Sequence, residues 1–334
     1  MTATRVVNVN SALPALEAVR EAQKLVYSVM QPTPQIRWPL LCQRLGAEVW
    51  VKHENHTPIA AFKARTAVVY AAELFKRPDK AKGLITSTRG NHGQSVALAG
   101  SRFNVPVKIV VPLGNSKEKN ADMRAHGAEL IEHGSDYQEA REFADRLAED
   151  LPGWNVVPPY HRDIVKGVAT YWMEFFSAVP DLDVVYVPIG MGSGICAACA
   201  VRNGMGLRTK IVGVVAEGAP AYALSFESGT RMEAAVTTRL ADGIACRAPD
   251  DEALEVILGN VERVIRVSDD EIARAMRIYF TDTHNTAEGA GATALGAALK
   301  ERGSLAGKRI GLVLTGGNVD HDLFARILAE ESSS

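Results

Sequence analysis

Between residues 83 and 157 the chain alternates short apolar runs with longer amphipathic segments. The apolar runs lie at 83–86, 107–111, 129–131 and 154–157, and they predict strands. The segments between them, of roughly 10 to 15 residues, predict helices. Strands joined by such helices form parallel βαβ units, whose sheet is covered by helices on both faces. The alternation therefore predicts an α/β fold.

A second set of apolar runs predicts another sheet. The run at 184–188 is continuously apolar, which is typical of a central strand buried on both faces. Further strands are predicted at 48–52, 210–215, 262–267 and 309–314.

The two sets of strands predict two domains, each with a mostly parallel sheet flanked by helices. Residues 67–157 are predicted to form the smaller domain, and residues 1–66 together with 158–334 the larger one. A chain of 334 residues is long enough to bury two such cores. We expect the active site in the cleft between the domains.

Lys63 is the candidate nucleophile. The sequence around it predicts a strand that ends near Lys52, a turn at Thr57 and Pro58, and a helix that begins near Phe62. The free N–H groups and the positive dipole end at the start of a helix favour the neutral form of an amine. A lysine in this position can act as a Schiff-base nucleophile, although a solvated surface lysine is the alternative interpretation of this segment alone.

Three other polar segments each follow an apolar run. They are 87–94 (Ser-Thr-Arg-Gly-Asn-His-Gly-Gln), 190–194 (Gly-Met-Gly-Ser-Gly) and 314–318 (Leu-Thr-Gly-Gly-Asn). The loop at 190–194 lies between a strand and a helix, which predicts an anion site suited to a phosphate group. A dinucleotide-binding loop would need a third glycine where this chain has Ile195. A structural turn is the remaining alternative for this loop.

These four segments, in this order, resemble the fold type II pyridoxal-phosphate enzymes, and among them the serine/threonine dehydratase-like group. The resemblance covers roughly residues 30 to 325 and implies a fold like that of the tryptophan synthase β subunit. It also implies that pyridoxal 5'-phosphate is the cofactor and that Lys63 holds it as a Schiff base. Lys63 is then also the expected general base that removes the substrate Cα proton.

The resemblance assigns further site residues. Asn91 is expected to hydrogen-bond the cofactor's 3-hydroxyl group, and Thr315 is expected to contact its pyridine nitrogen. The phosphate is expected to bind at Gly190, Met191, Gly192, Ser193 and Gly194. The backbone N–H groups of a second loop are expected to bind the substrate α-carboxylate; its residues are Thr88, Arg89, Gly90, Asn91 and His92.

The implied function is β-elimination from a β-hydroxy amino acid such as threonine, serine or 3-hydroxyaspartate, which yields a 2-oxo acid and ammonia. A hydroxyl such as that of Thr315 does not keep the pyridine nitrogen protonated, and this favours prompt elimination. One alternative is β-replacement, as in cysteine synthases, but those enzymes tend to have Gly-Asn-Thr where this chain has Gly90-Asn91-His92. A nucleotide-binding oxidoreductase or a catalytically silent sensor would leave Lys63 without a task.

Arg89 bears on the remaining alternative, an amino acid racemase. Serine racemases of this family place a catalytic serine shortly before the Gly-Asn-His, where this chain has Arg89 next to the glycine, and a guanidinium cannot serve as that base. We hypothesise instead that Arg89 binds a substrate carboxylate with two hydrogen bonds, either the α-carboxylate or a side-chain carboxylate. An arginine that points outward or forms a structural ion pair is the other interpretation.

Charge and cysteine content limit the partners. The chain has 37 basic and 39 acidic residues, so no broad positive field attracts it to nucleic acid or a membrane, and a small amino acid is the expected partner. Four scattered cysteines do not form a disulfide framework, which fits the cytoplasm. The resemblance implies a homodimer. Val215 stands where the family places the first carboxylate of a cation site, so no metal ligand is expected.

Overall fold

The computed structural model describes residues 13–77 and 81–330, and it contains two separate sheets. The larger sheet has six strands: β1 (Gln35–Arg37), β2 (Glu48–His53), β7 (Val184–Pro188), β8 (Lys210–Ala216), β9 (Arg263–Val267) and β10 (Arg309–Leu314). Their order is β1-β2-β10-β7-β8-β9. Only β1 is antiparallel to its neighbour.

The smaller sheet has four parallel strands: β3 (Gly83–Ser87), β4 (Val107–Val111), β5 (Glu129–Glu132) and β6 (Trp154–Val156). Their order is β5-β4-β3-β6. The predicted α/β fold with two mostly parallel sheets is confirmed. The strands divide between the sheets as the sequence suggests, whereas domain boundaries at 66/67 and 157/158 remain predictions.

In the described residues, helices connect the strands, with two short 3-10 turns at Asp242–Ile244 and Arg302–Ser304. The α-helices of the described residues are α1 (Leu16–Val26), α2 (Pro39–Leu45), α3 (Ala64–Leu74), α4 (Asn91–Phe103), α5 (Lys117–Ala125), α6 (Tyr137–Glu149), α7 (Arg162–Ala178), α8 (Ser193–Gly204), α9 (Ala221–Ser228), α10 (Asp251–Asn260), α11 (Asp269–Thr283), α12 (Gly289–Lys300) and α13 (His321–Ala329). In the parts of the chain that the structure describes, none of these helices is long and apolar enough to cross a membrane.

Both faces of each sheet are covered by helices. In the larger sheet, Val212 and Leu312 pack with the alanines of α12, whereas Val185 and Val313 pack with α7 and α8 on the other face. The smaller sheet shows the same division: Leu84 belongs to the core formed with α3 and α4, and the adjacent Ile85 to the core formed with α6. Because successive side chains point to opposite faces of a strand, this arrangement explains why consecutive residues of β10 and of β3 are apolar and buried.

One local feature differs from the sequence prediction. Helix α3 begins at Ala64 rather than near Phe62, so Lys63 occupies the position just before the first helical residue. Just before Trp38 the chain forms the edge strand β1, which pairs with β2. Between the end of α9 and the start of α10, the structure shows only the 3-10 turn at Asp242–Ile244.

Candidate active site

The site lies at the C-terminal edge of the larger sheet. Strands β2, β10 and β7 are neighbours and run parallel, so the segments that follow them leave the sheet at the same edge. Lys63 follows β2, Thr315 follows β10 and the glycine loop at 190–194 follows β7. The first two segments are bonded directly: the Phe62 N–H donates to the Thr315 carbonyl at 2.9 Å, and the Gly317 N–H donates to the Ala60 carbonyl at 2.9 Å.

Lys63 is an amine with reduced basicity. Burial lowers its pKa to about 8, and the negative charge of Glu288 opposes this shift. At that pKa about one amine in ten is neutral at pH 7. The Ser95 hydroxyl donates to the Lys63 carbonyl at 2.5 Å and holds the backbone at the start of α3. The structure thus provides a fixed amine that is available as a nucleophile near neutral pH.

A buried ion cluster anchors the first turn of α3. Arg65 is fully buried, and its guanidinium pairs with Glu54 at 2.8 Å and with Glu174 at 2.6 Å. The Lys52 amine reaches Glu174 at 2.6 Å from β2. The Thr33 hydroxyl donates to Glu54 at 2.5 Å. Two positive and two negative side chains therefore balance in the interior. One of them, Arg65, is two residues after Lys63.

The glycine loop presents N–H groups at the start of α8. Gly192 has a φ of +97° and precedes the first residue of the helix. Two carbonyl groups of the loop accept hydrogen bonds from neighbouring side chains. The Tyr222 hydroxyl donates to the Met191 carbonyl at 3.1 Å, and the Trp172 indole donates to the Gly194 carbonyl at 2.9 Å. The first turn of a helix leaves its N–H groups free for an anion, so this loop suits a phosphate group.

Replacing Gly192 with alanine is expected to destabilise the loop by about 1–3 kcal/mol. The new Cβ would lie 2.5 Å from the Ala253 Cβ, and the positive φ strains any side chain. Gly194→Ala is the matched control, because a Cβ there would meet no protein atom closer than 3.7 Å. Thermal unfolding of the cofactor-free variants measures the difference. Equal stability of the two variants would contradict this account of the loop.

The loop from Thr88 to His92 differs from the expected arrangement. The Gly90 N–H and the Gly93 N–H both donate to the Thr88 hydroxyl, at 3.0 and 3.3 Å, and the Thr88 N–H donates to the Val110 carbonyl at 3.0 Å. Two of the five N–H groups expected to bind a substrate carboxylate therefore have protein acceptors. The N–H groups of Arg89, Asn91 and His92 remain as candidates for that role.

His92 lies at the end of this loop beside the smaller sheet. Its Nε2 is 3.3 Å from the Val157 carbonyl. Burial, and then the charge of Lys63, lower its pKa to about 4. The imidazole is therefore neutral at neutral pH, and its contact links the loop to the chain that follows β6.

Asn91 connects the loop to two other segments. Its amide donates to Glu288 Oε1 at 2.7 Å, and its own oxygen accepts from the Asn318 amide at 2.8 Å. The Asn318 amide also donates to the Ile59 carbonyl at 2.8 Å, shortly before Lys63. These bonds join the starts of α4 and α12 and the loop after β10. The resemblance matches Glu288 to a family position near the cofactor, with an ordinary helix-start glutamate as the alternative, and it assigns no separate role to Asn318.

A cavity of about 390 Å³ opens beside this network. Its wall includes Glu288 and Asn318, from segments next to the larger sheet, and Arg89 and Lys119, from segments next to the smaller sheet. Lys119 forms an ion pair with Asp242 at 2.8 Å, which joins α5 to the 3-10 turn. Arg89 is exposed and makes no hydrogen bond or ion pair with any residue in 13–77 or 81–330. Lys63, Thr315 and the glycine loop do not line this cavity.

These residues fit pyridoxal phosphate. Lys63 would supply the amine that binds its aldehyde carbon, and the free backbone N–H groups of the glycine loop would hold its phosphate. Thr315, 7% exposed at the end of β10, supplies a hydroxyl, and Asn91 keeps one amide hydrogen beyond the one given to Glu288. Within the described residues no group of three or more metal-ligating side chains is placed to hold an ion.

Comparison with known proteins decides the family. A family model described as pyridoxal-phosphate dependent enzyme matches residues 26–316. The chain belongs to this family. The predicted fold type II relationship and the predicted cofactor, pyridoxal phosphate, are confirmed.

Individual relatives agree with this assignment. The chain is 32% identical to L-threonine ammonia-lyase of Thermotoga maritima over 94% of its own length and 78% of the relative's. It is 30% identical to L-threo-3-hydroxyaspartate ammonia-lyase of Saccharomyces cerevisiae over 95% of its own length and 97% of the relative's. The structure of processed threonine deaminase isoform 2 from Solanum lycopersicum superposes with a TM-score of 0.88 at 28% identity, covering 95% of this chain and 93% of that one.

Proposed function

We propose that this protein is a pyridoxal-phosphate-dependent ammonia-lyase that removes the β-hydroxyl group from a β-hydroxy amino acid and releases a 2-oxo acid and ammonia. The observation that carries the proposal is the placement of Lys63. It is an amine with a pKa of about 8. Its segment is hydrogen-bonded to Thr315 and lies at the same sheet edge as the glycine loop at 190–194. The names of the two ammonia-lyase relatives support the same reaction class.

The residues of the chain divide the work. When bound, pyridoxal phosphate supplies an electron sink for the electron pair that remains on the substrate Cα when its proton is removed. Lys63 in its neutral form accepts that proton at Nζ as general base. Asn91 is held at both ends of its amide, so the orientation of its remaining N–H group is fixed. The glycine loop holds the phosphate through backbone N–H groups, which require no ionisable side chain.

Arg89 is proposed to bind a carboxylate of the substrate. Its guanidinium lies on the cavity wall without a partner among the described residues, so it can bind a carboxylate without breaking an existing ion pair. A charge-assisted hydrogen-bonded contact of this kind contributes about 1.5–3 kcal/mol. Of the two hypotheses, a side-chain carboxylate would make a dicarboxylic substrate such as 3-hydroxyaspartate preferred over threonine.

Arg89→Ala is expected to lower kcat/KM for 3-hydroxyaspartate by about 10- to 100-fold relative to threonine, as the lost contact energy requires. Arg239→Ala is the control, because Arg239 is a second exposed arginine on the same wall and its loss tests the general effect of positive charge. Equal losses for both substrates would indicate the α-carboxylate instead. An unchanged ratio with unchanged kcat/KM would exclude Arg89 from substrate binding.

A substrate panel tests the reaction class. The cofactor-loaded protein is incubated with both enantiomers of serine, threonine and phenylserine and with the diastereomers of 3-hydroxyaspartate, and ammonia and 2-oxo acid are measured together. Equal release of both products supports elimination. Inversion of the substrate without ammonia would support a racemase, and product formation only with added sulfide would support β-replacement.

We also propose a cytoplasmic homodimer. All four cysteines are free thiols, which suits a reducing compartment. Leu40 and Phe280 are 52% and 40% exposed, on helices α2 and α11 that contact each other. Apolar side chains left exposed on neighbouring helices favour association with a second subunit. Sedimentation equilibrium of the purified protein tests the dimer.

A further inference from the structure

Glu288 is a buried carboxyl group on the wall of the cavity. Its side chain is 3% exposed, although the residue stands at the start of α12. A glutamate at a helix start commonly serves its own helix, yet the Glu288 side chain makes no capping hydrogen bond. Its location therefore needs an explanation other than stabilisation of α12.

The two carboxyl oxygens have different surroundings. Oε1 accepts the hydrogen bond from Asn91 at 2.7 Å. Oε2 is buried and has no hydrogen-bond partner among the described residues. The backbone is close as well, since a Cβ at Gly316 would lie 2.4 Å from Oε1. An unpaired buried carboxyl oxygen is costly to keep and is commonly found at functional sites.

Charged groups from several elements act on this carboxyl. Burial raises the pKa of Glu288 to about 7, and Asp242 of the 3-10 turn acts in the same direction. Lys119 of α5, the hydrogen bond from Asn91 and the charge of Lys63 oppose this rise. Because Lys63 and Glu288 influence each other and both titrate near neutral pH, their proton equilibria are coupled.

We propose that Glu288 is a positioning residue of this site: Oε1 orients the Asn91 amide, and the carboxylate, which lies across Gly316 from Ala61 in the segment of Lys63, favours the protonated form of that lysine. This inference rests on the proposed function, because it concerns the amine that binds the cofactor. The sign follows from the charges. An ionised Glu288 stabilises the protonated lysine, so loss of the carboxylate favours the neutral amine.

Uptake of pyridoxal phosphate by the cofactor-free protein provides the test, because its rate depends on the fraction of neutral Lys63. In Glu288→Gln the pH midpoint of this rate is expected to fall by about one unit. The neutral fraction at pH 7 then rises from about one-tenth to about one-half, so uptake at pH 7 becomes about fivefold faster. In the loaded protein, any inflection of the absorption spectrum near pH 7 should disappear in the variant.

Controls separate the possible outcomes. Glu301→Gln removes a half-buried carboxylate that pairs with Arg263 away from the cavity, and it should leave the pH midpoint unchanged. If the glutamine variant does not fold, Glu288→Met serves instead, because a buried thioether has no hydrogen bonds to satisfy. Identical pH profiles for wild type and variant overturn the role of Glu288 and leave the proposed function intact. Failure of the wild type to bind the cofactor at all overturns the proposed function itself.

Discussion

Lys63→Ala is expected to lower kcat for elimination by about 10⁴-fold, because the variant loses both the cofactor-binding amine and the general base. Neither of two other lysines near the site can replace it. Lys52 is fully buried and bonded to Glu174, and Lys119 is paired with Asp242. The release of 2-oxo acid by the variant, measured with excess pyridoxal phosphate and saturating substrate, gives the magnitude.

Two further variants show that the amine itself is responsible. Lys63→Arg keeps a positive charge but cannot accept a proton near neutral pH, so it is expected to be as inactive as the alanine variant. Lys210→Ala removes an exposed lysine and should retain full activity. Partial recovery of Lys63→Ala with an added small primary amine would support the assignment. More than about one-hundredth of wild-type kcat in the unrescued alanine variant would contradict it.

Arg65→Met is expected to lower the free energy of unfolding by about 3–5 kcal/mol. The substitution leaves Glu54 without its guanidinium partner, and Lys52 becomes the remaining cationic partner of Glu174. This region is almost fully buried. Burial disfavours ionisation of Glu174, yet Arg65 and then Lys52 keep its pKa below the usual range. Removal of the guanidinium therefore leaves a buried negative charge without compensation.

The matched control is Arg162→Met, which breaks the ion pair with Glu252. That pair is 2.9 Å long, but its side chains are 59% and 45% exposed. Exposed pairs of this kind contribute less than about 1 kcal/mol. Denaturant unfolding of both variants compares the two sites. A small effect of Arg65→Met would mean that the cluster does not stabilise the start of α3.

Much of the fold and part of the site followed from local sequence patterns. The alternation of strands and helices is a periodic signal within short windows, and the paired sheets confirm it. Lys63 and the glycine loop stood out for the same reason, because each lies between an apolar run and a helix. The position of α3 was shifted by two residues, from Phe62 to Ala64, since helix ends depend on local capping contacts.

The remaining features depend on contacts between distant segments. In sequence, Glu288 matches a family position near the cofactor, but an ordinary helix-start glutamate explains it almost equally well. The hydrogen bond from Asn91, 197 positions away, is what joins it to the site. The Thr88 hydroxyl accepts hydrogen bonds from the N–H groups of Gly90 and Gly93, which no spacing rule predicts. The ion pair of Lys119 with Asp242 joins α5 to the 3-10 turn at Asp242–Ile244. These two elements are distant in sequence and come together only in the folded chain.

The most direct test of the central claim is to locate the bond between cofactor and protein. The loaded protein is reduced with borohydride, digested, and analysed by mass spectrometry for a lysine that carries a pyridoxyl group. We predict one modified peptide with the label on Lys63, and no label in Lys63→Ala. A label on Lys52, Lys119 or any other lysine, with Lys63 unmodified, would contradict the assignment of this site.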